Sequence, residues 1–158
     1  MLEYYANIAE IIGVVSVVVT LVFLILQIRQ NTQAIRAETI QAVMQSEMAL
    51  STLLVEHADV WVKVLSGAPL ADGAETRRAL ILYGVVMVDT ENRFHQFLAG
   101  YLDTKTWRGR MQMLPKMASL PIFPAWRQSF GGQSRAADFL ELIDGIYATA
   151  KEQGDGNG

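Results

Sequence analysis

The sequence predicts an all-α protein with one transmembrane helix near its N-terminus, and three observations carry that prediction. Residues 11–28 (IIGVVSVVVTLVFLILQI) contain no charged side chain. No Pro or Gly interrupts the chain from Gln27 to Leu54. No segment alternates apolar and polar residues with the period of two that marks a half-buried strand. Together they predict an N-terminal transmembrane helix that continues into a long cytoplasmic helix and packs with a small helical domain. The expected organisation is residues 1–28 as the span with a short external N-terminus, 29–58 as its cytoplasmic extension, 59–151 as the domain, and 152–158 as a disordered tail.

Length and composition agree. The chain has 158 residues, 51% apolar and only 18% charged, against the roughly 25% charge of an ordinary soluble domain, so one stretch avoids water. As a helix, residues 11–28 cover about 27 Å, close to the ~30 Å hydrocarbon core. Ala6, Ile8 and the tyrosines Tyr4 and Tyr5 extend the run towards an interface where such rings collect, which gives a span from about Tyr5 to Ile28. Residues 14–19 are rich in β-branched side chains, yet the apolar run is nearly twice the length of a usual strand. The acidic start MLEYYANIAE and the absence of a small-x-small site before Arg29 argue against a cleaved signal peptide. Glu3 and Glu10 precede the span, and Arg29 and Arg36 follow it. The positive-inside rule therefore places the N-terminus outside and the remainder in the cytoplasm.

Beyond the span, Ile28, Ile35, Ala42, Ala49 and Leu53, with Val43 and Leu50 beside them, form a stripe for other helices to cover, with a weak point at Asn31-Thr32. Asp59 is expected to cap a short helix, VWVKVLSG, and the Gly- and Pro-bearing residues 66–73 form a loop. A second long helix is expected over residues 74–101, its apolar face made by Leu80, Tyr83, Met87, Phe94, Leu98 and Tyr101. Asp103 caps a third, ended or kinked by Pro115 and stopped by Pro121. Pro124-Ala125-Trp126 opens a short helical piece, Gly131-Gly132 makes a turn, and residues 134–151 form the last helix.

The run NIAEIIGVVSVVVTLVFLILQIRQNTQAIRAET closely resembles the opening of a family of small uncharacterised bacterial single-pass membrane proteins, whose N-terminal helix has the pattern AEIIG…QIRQNT…IRA. The likeness extends more loosely through Glu91-Asn92, Leu102-Asp103 before Trp107, and Pro124-Ala125-Trp126. It implies a bacterial origin and a location in the inner membrane, and carries no activity with it.

The chemistry-bearing residues are sparse. No cysteine is present, which excludes disulfides, thiolate metal sites and cysteine catalysis. The only histidines are His57 and His95, and no cofactor signature, phosphate loop or nucleophile elbow occurs. Glu91 and His95 lie one helical turn apart, with Asp89 and Arg93 paired likewise, and would make half of a metal site or an acid–base pair; the plainer reading is an ordinary i, i+4 ion pair plus a satisfied polar residue in a helical core. The expectation is no enzyme and no metal. A net charge of −3 argues against nucleic acid as a partner.

On the span, Ala9, Gly13, Ser16, Thr20, Gln27 and Asn31 share one face, with small residues paired at Ala9/Gly13 and Ser16/Thr20. Such a face lets helices approach closely in lipid, unless its hydroxyls only bond back to their own helix. Residues 60–135 hold ten Lys and Arg against five Asp and Glu. There Arg108, Arg110, Lys116 and Arg127 interleave with Trp107 and Trp126, as in segments that lie on anionic lipid or as a solvated face over a core of the same aromatics. The expected protein is a non-enzymatic inner-membrane assembly or interaction protein: a parallel homo-oligomer in contact with membrane lipid, or a subunit of a larger membrane complex. Alternatives are a pore lined by the same face and, more weakly, an enzyme or metal-dependent sensor at Glu91 and His95.

Overall fold

A computed structural model describes the backbone of residues 2–155 and the side chains of Asn7 and residues 10–152. The described residues form seven helices and no strand, the all-α class that the sequence predicts. The chain divides into two compact units, Met1–Thr39 and Ile40–Gly158. The second unit therefore begins at Ile40, nineteen positions before the sequence division at residue 59.

Helix α1 (Leu2–Glu56) supplies all of the described first unit and is unbroken at Asn31-Thr32. Its apolar window has a mean hydropathy of 2.9 with none of it buried, and is a candidate membrane span. The expected interfacial tyrosines Tyr4 and Tyr5 lie outside the residues whose side chains are described.

The second unit is built around α3 (Gly73–Leu98). Against it lie the last four turns of α1, then α2 (Ala58–Ser66), α4 (Thr104–Ala118), α5 (Phe123–Gln128), α6 (Phe130–Gln133) and α7 (Ala137–Asp155). Local chemistry sets the boundaries. Gly67, at φ 67°, closes α2 in the left-handed conformation open to glycine, and its neighbour Ala68 returns an N–H to the Lys63 carbonyl at 3.0 Å. Asp72 caps α3 by accepting the Glu75 N–H at 2.8 Å, and Asp103 caps α4 through the Lys105 and Thr106 N–H groups. The Thr106 hydroxyl on Asp103 holds that carboxyl below its usual range. In the first turn of α3, Glu75 is tied to Lys63 at 2.7 Å and to the Ala71 N–H of the preceding loop, and the Lys63 contact foremost lowers its pKa.

Two apolar clusters fill the interior. The larger joins Val60, Tyr83, Met87, Phe123, Trp126 and Phe139, and the smaller joins Val43, Leu102, Trp107 and Leu114. Phe94, Leu142 and Ile146 touch both, so they are two halves of one core. Tyr83 reaches the Met117 carbonyl at 2.9 Å from within it.

Several elements differ from the sequence reading. The N-cap of α2 is His57, without a side-chain bond, and Asp59 lies in the first turn. Gly73 opens α3 instead of ending the loop, and α3 stops at Leu98, leaving Leu98 and Tyr101 exposed. Pro115 sits in the last turn of α4 without ending it, since a proline there forfeits a single helix bond. Gly131-Gly132 belongs to α6, which Ser129 caps. A Cβ at Gly132 would stand 2.3 Å from the Trp126 carbonyl oxygen, so glycine is there for close approach and not for a turn. Helix α7 starts at Ala137 and carries Glu152–Asp155 of the expected tail; residues 156–158 lie outside the described residues. The inward stripe of α1 is Val43, Ser46, Leu50 and Leu53, while Ala42 is exposed and Ala49 stands at the exposed edge of that stripe, lining a cavity with Ser46, Leu50 and Leu53.

Candidate functional site

The proposed contact face lies in the first unit. Gly13, Ser16, Thr20, Gln27 and Asn31 are all exposed, and nothing would meet a Cβ at Gly13 within 4 Å; the side chain of Ala9 lies outside those described. The Ser16 hydroxyl donates to the Ile12 carbonyl at 2.8 Å, and that of Thr20 to the Ser16 carbonyl at 2.8 Å. Both hydroxyls are thus satisfied within their own helix. The face keeps its small size and loses its need for a polar partner at those two positions. Only the amides of Gln27 and Asn31 bring longer polar side chains to it.

In the second unit the polar centre is Asp89, on the face of α3 that packs inward. Its side chain is 5% exposed. It accepts from the Ser46 hydroxyl at 2.8 Å, from Arg93 Nε at 2.9 Å and from Arg110 Nη2 at 2.9 Å. Arg110 also donates from Nε to the Thr90 hydroxyl at 3.0 Å. Glu47 stands 3.6 Å from Arg93 on the solvent side. Two guanidinium groups share one buried carboxylate, and burial pulls the Arg110 pKa below its ordinary value, with Asp89 opposing that shift. Every oxygen and most donors of this cluster are engaged within the fold. The arrangement ties α1, α3 and α4 together.

Glu91 and His95 are brought near each other, with Nε2 and Oε1 4.0 Å apart. Glu91, however, spends both carboxylate oxygens on the two residues that lead into α7: one accepts the Ala136 N–H at 2.7 Å and the other accepts Arg135 Nη1 at 3.0 Å. It anchors the start of α7, where a carboxylate meets the positive end of the helix. His95 turns its other nitrogen towards Asp138, 3.8 Å away, so its two nitrogens face different carboxylates. Among the described residues no three His, Cys, Asp or Glu side chains converge as a metal site would require.

The six residues expected at a lipid surface separate into two groups. Trp126 is 1% exposed and Trp107 is 7% exposed, both within the core. Trp107 stacks on Phe97 with ring centroids 5.6 Å apart. Arg110 is turned inward to Asp89, and Arg127 makes a two-pronged contact with Asp144 at 3.0 Å, which raises its pKa. Arg108 and Lys116 remain exposed. The tryptophans are therefore core residues, in line with the alternative of a core made of the same aromatics, and the lipid-surface reading is corrected for them and for Arg110. Its physical reason is that aromatic rings beside cations serve both arrangements, and the acidic partners that decide between them are distant in sequence.

The i, i+4 pairing of Asp89 with Arg93 is as the sequence spacing predicts, whereas the part of Ser46 and Arg110 in the same cluster is not. The signal that would have found their role is a carboxylate among Val86, Met87 and Thr90 on the inward side of α3. Comparison with protein-family models, curated proteins and solved structures finds no match to this chain.

Proposed function

We propose that this protein is a non-enzymatic, single-pass membrane protein of the bacterial inner membrane that associates with copies of itself through the Gly13–Ser16–Thr20 face, with its N-terminus outside and its helical unit in the cytoplasm. The observation that carries the reading is the uncharged helix over residues 11–28, unburied throughout, with small side chains gathered on one side. A Leu- and Val-faced helix without protein neighbours is unfavourable in water, at about 1.5–3 kcal/mol for each large side chain left out of an apolar medium, and is at home in hydrocarbon. Within lipid, association rests on close packing and not on apolar burial, which favours small residues at the contact. The engagement of both Glu91 oxygens in holding α7 supports a structural role there over a catalytic one.

The test measures oligomeric state in nanodiscs. Gly13→Leu or Ser16→Leu should shift the protein towards monomer, and Val15→Leu or Val22→Leu, on the opposite side, should leave assembly unchanged. A monomer unaffected by either class rejects self-association. Assembly that survives Gly13→Leu while ion flux through the reconstituted protein falls would favour a pore lined by the same face.

A further inference from the structure

The second unit carries an apolar furrow along the outer side of α3, and we infer that it docks an acidic amphipathic helix of a partner protein. Three cavities, of about 620, 350 and 110 Å³, form this furrow. They are joined through shared walls. Val85 and Val88 line both the first and the second, Ile81 lines the first and the third, and Leu53 lines the second and the third. On α3 the furrow runs from Arg77 to Asn92, about 22 Å at the rise of a helix. One bank is α1 with Leu50 and Leu53, and the other is α6 with Phe130. Length, open shape and two helical banks suit a helix of about four turns laid in a groove, read through apolar anchors three and four residues apart.

The side chains at its rim are those of a contact surface. Phe130 is 88% exposed, Ile81 59% and Val88 45%, large apolar groups gathered together where water gains nothing from them. The charges choose the partner. Arg77 and Arg78 stand at one end, exposed, and no ion pair within 4 Å engages either among the described residues. Arg135, lower along the furrow, is balanced by Glu91. The one carboxylate in the lining is Asp89, which is buried and already shared by Arg93 and Arg110. An incoming helix therefore meets two exposed cations, of which only Arg78 has a nearby carboxylate, the buried Glu75, and no exposed carboxylate in the lining, which steers acidic flanks towards the groove and disfavours basic ones. This surface lies on other residues than the Gly13 face and does not depend on self-association.

The experiment uses the full chain in neutral phosphatidylcholine nanodiscs, with empty nanodiscs as the background. The probe is a fluorescent synthetic helix of about 16 residues, long enough for the furrow, with leucines at three- and four-residue spacing and flanking glutamates. A second probe carries lysines in place of the glutamates, and oleate is a third. The acidic helix should bind the protein above background and about ten-fold tighter than its lysine counterpart, a difference that shrinks with salt. Arg77→Glu with Arg78→Glu should abolish that preference. Phe130→Ser and Ile81→Ser, both at exposed positions whose loss leaves the core intact, should each weaken the acidic helix by about ten-fold. The inference falls if the acidic helix does not bind above background, if the lysine helix binds as well, or if neither serine variant changes binding. It falls equally if oleate binds in the furrow and neither helix displaces it, which would mark a site for a single-chain lipid. Since the Gly13→Leu variant retains the furrow, it should bind the acidic helix like the parent, and so separates this test from that of self-association.

Discussion

Replacing Asp89 by alanine tests the idea that one carboxylate holds the second unit together. The side chain is 5% exposed and takes three donors, from Ser46, Arg93 and Arg110. Without it two guanidinium groups, 7% and 15% exposed, face each other across the space it leaves. Glu47 is the nearest replacement, but at 3.6 Å from Arg93 and 61% exposed it is largely screened by water. Removing one partner of a buried ion pair costs about 3–5 kcal/mol. Arg110 keeps the Thr90 hydroxyl at 3.0 Å and the Val86 carbonyl at 3.4 Å, so the lower end, about 3 kcal/mol, is expected. Urea unfolding of the full chain in mild detergent, followed by tryptophan emission, reads the loss, because Trp107 and Trp126 are buried in this unit. Two controls set the scale. Asp72→Ala removes one helix cap and should cost about 1 kcal/mol. Arg110→Met leaves Asp89 with Arg93 and Ser46, and should cost less than Asp89→Ala. A loss for Asp89→Ala no greater than that for Asp72→Ala, or a larger loss for Arg110→Met, would refute the reasoning.

Two further outcomes follow from single side chains. Tyr83 donates to the Met117 carbonyl in the core, and burial raises its pKa well above the ordinary value of 10.0. Its contribution is complete below pH 10 and declines as pH rises past it, since only the unfolded chain then releases the proton. Tyr83→Phe should cost about 1–2 kcal/mol at neutral pH, and unfolding midpoints measured from pH 8 upward should fall less steeply than in the parent. Two glycines should respond oppositely to alanine in the same urea experiment. Gly132→Ala drives a methyl against the Trp126 carbonyl and the Arg127 backbone and should destabilise by about 1–3 kcal/mol. Gly109→Ala, inside α4 with open space around it, should stabilise by about 0.5–1 kcal/mol.

How far each feature was legible depended on the range of the interaction that fixes it. The apolar span shows in residues 11–28 alone, because exclusion of charge is a local property. Helix α3 and the caps at Asp72 and Asp103 were within reach for the same reason, although only the second cap was assigned in advance. The phase of α1 was legible in part, through Val43, Leu50 and Leu53. A stripe sought among apolar residues selects Ala42 and Ala49 and passes over Ser46, whose inward turn depends on Asp89, forty-three positions later. The basic aromatic stretch stays open between a lipid surface and a core for a similar reason: Arg110 and Arg127 find their carboxylates twenty-one and seventeen residues away. Of the candidate membrane face, the placement of small residues was readable from helical geometry. That the Ser16 and Thr20 hydroxyls bond back to their own carbonyls takes coordinates to decide.

Asp89 does more than balance charge, because its three donors come from three helices: Ser46 on α1, Arg93 on α3 and Arg110 on α4. Ala42 and Ala49 lie within about 40° of Leu53 around α1, so apolar packing alone tolerates a turn of the helix that brings them further in at the expense of Val43 and Leu50. A directed hydrogen bond does not tolerate it, and a turn of 100° would carry Ser46 away and leave the carboxylate short of a partner. The buried ionic cluster therefore selects one register among packings of similar hydrophobic content, the best-attested use of such groups. Selecting the inward side of α1 also selects its outward side. Ile40, Met44 and Met48 are left 46%, 60% and 71% exposed, while Leu50 and Leu53 remain at the bank of the furrow along α3. The polar contact that fixes the fold thus also determines which apolar side chains are offered to a partner.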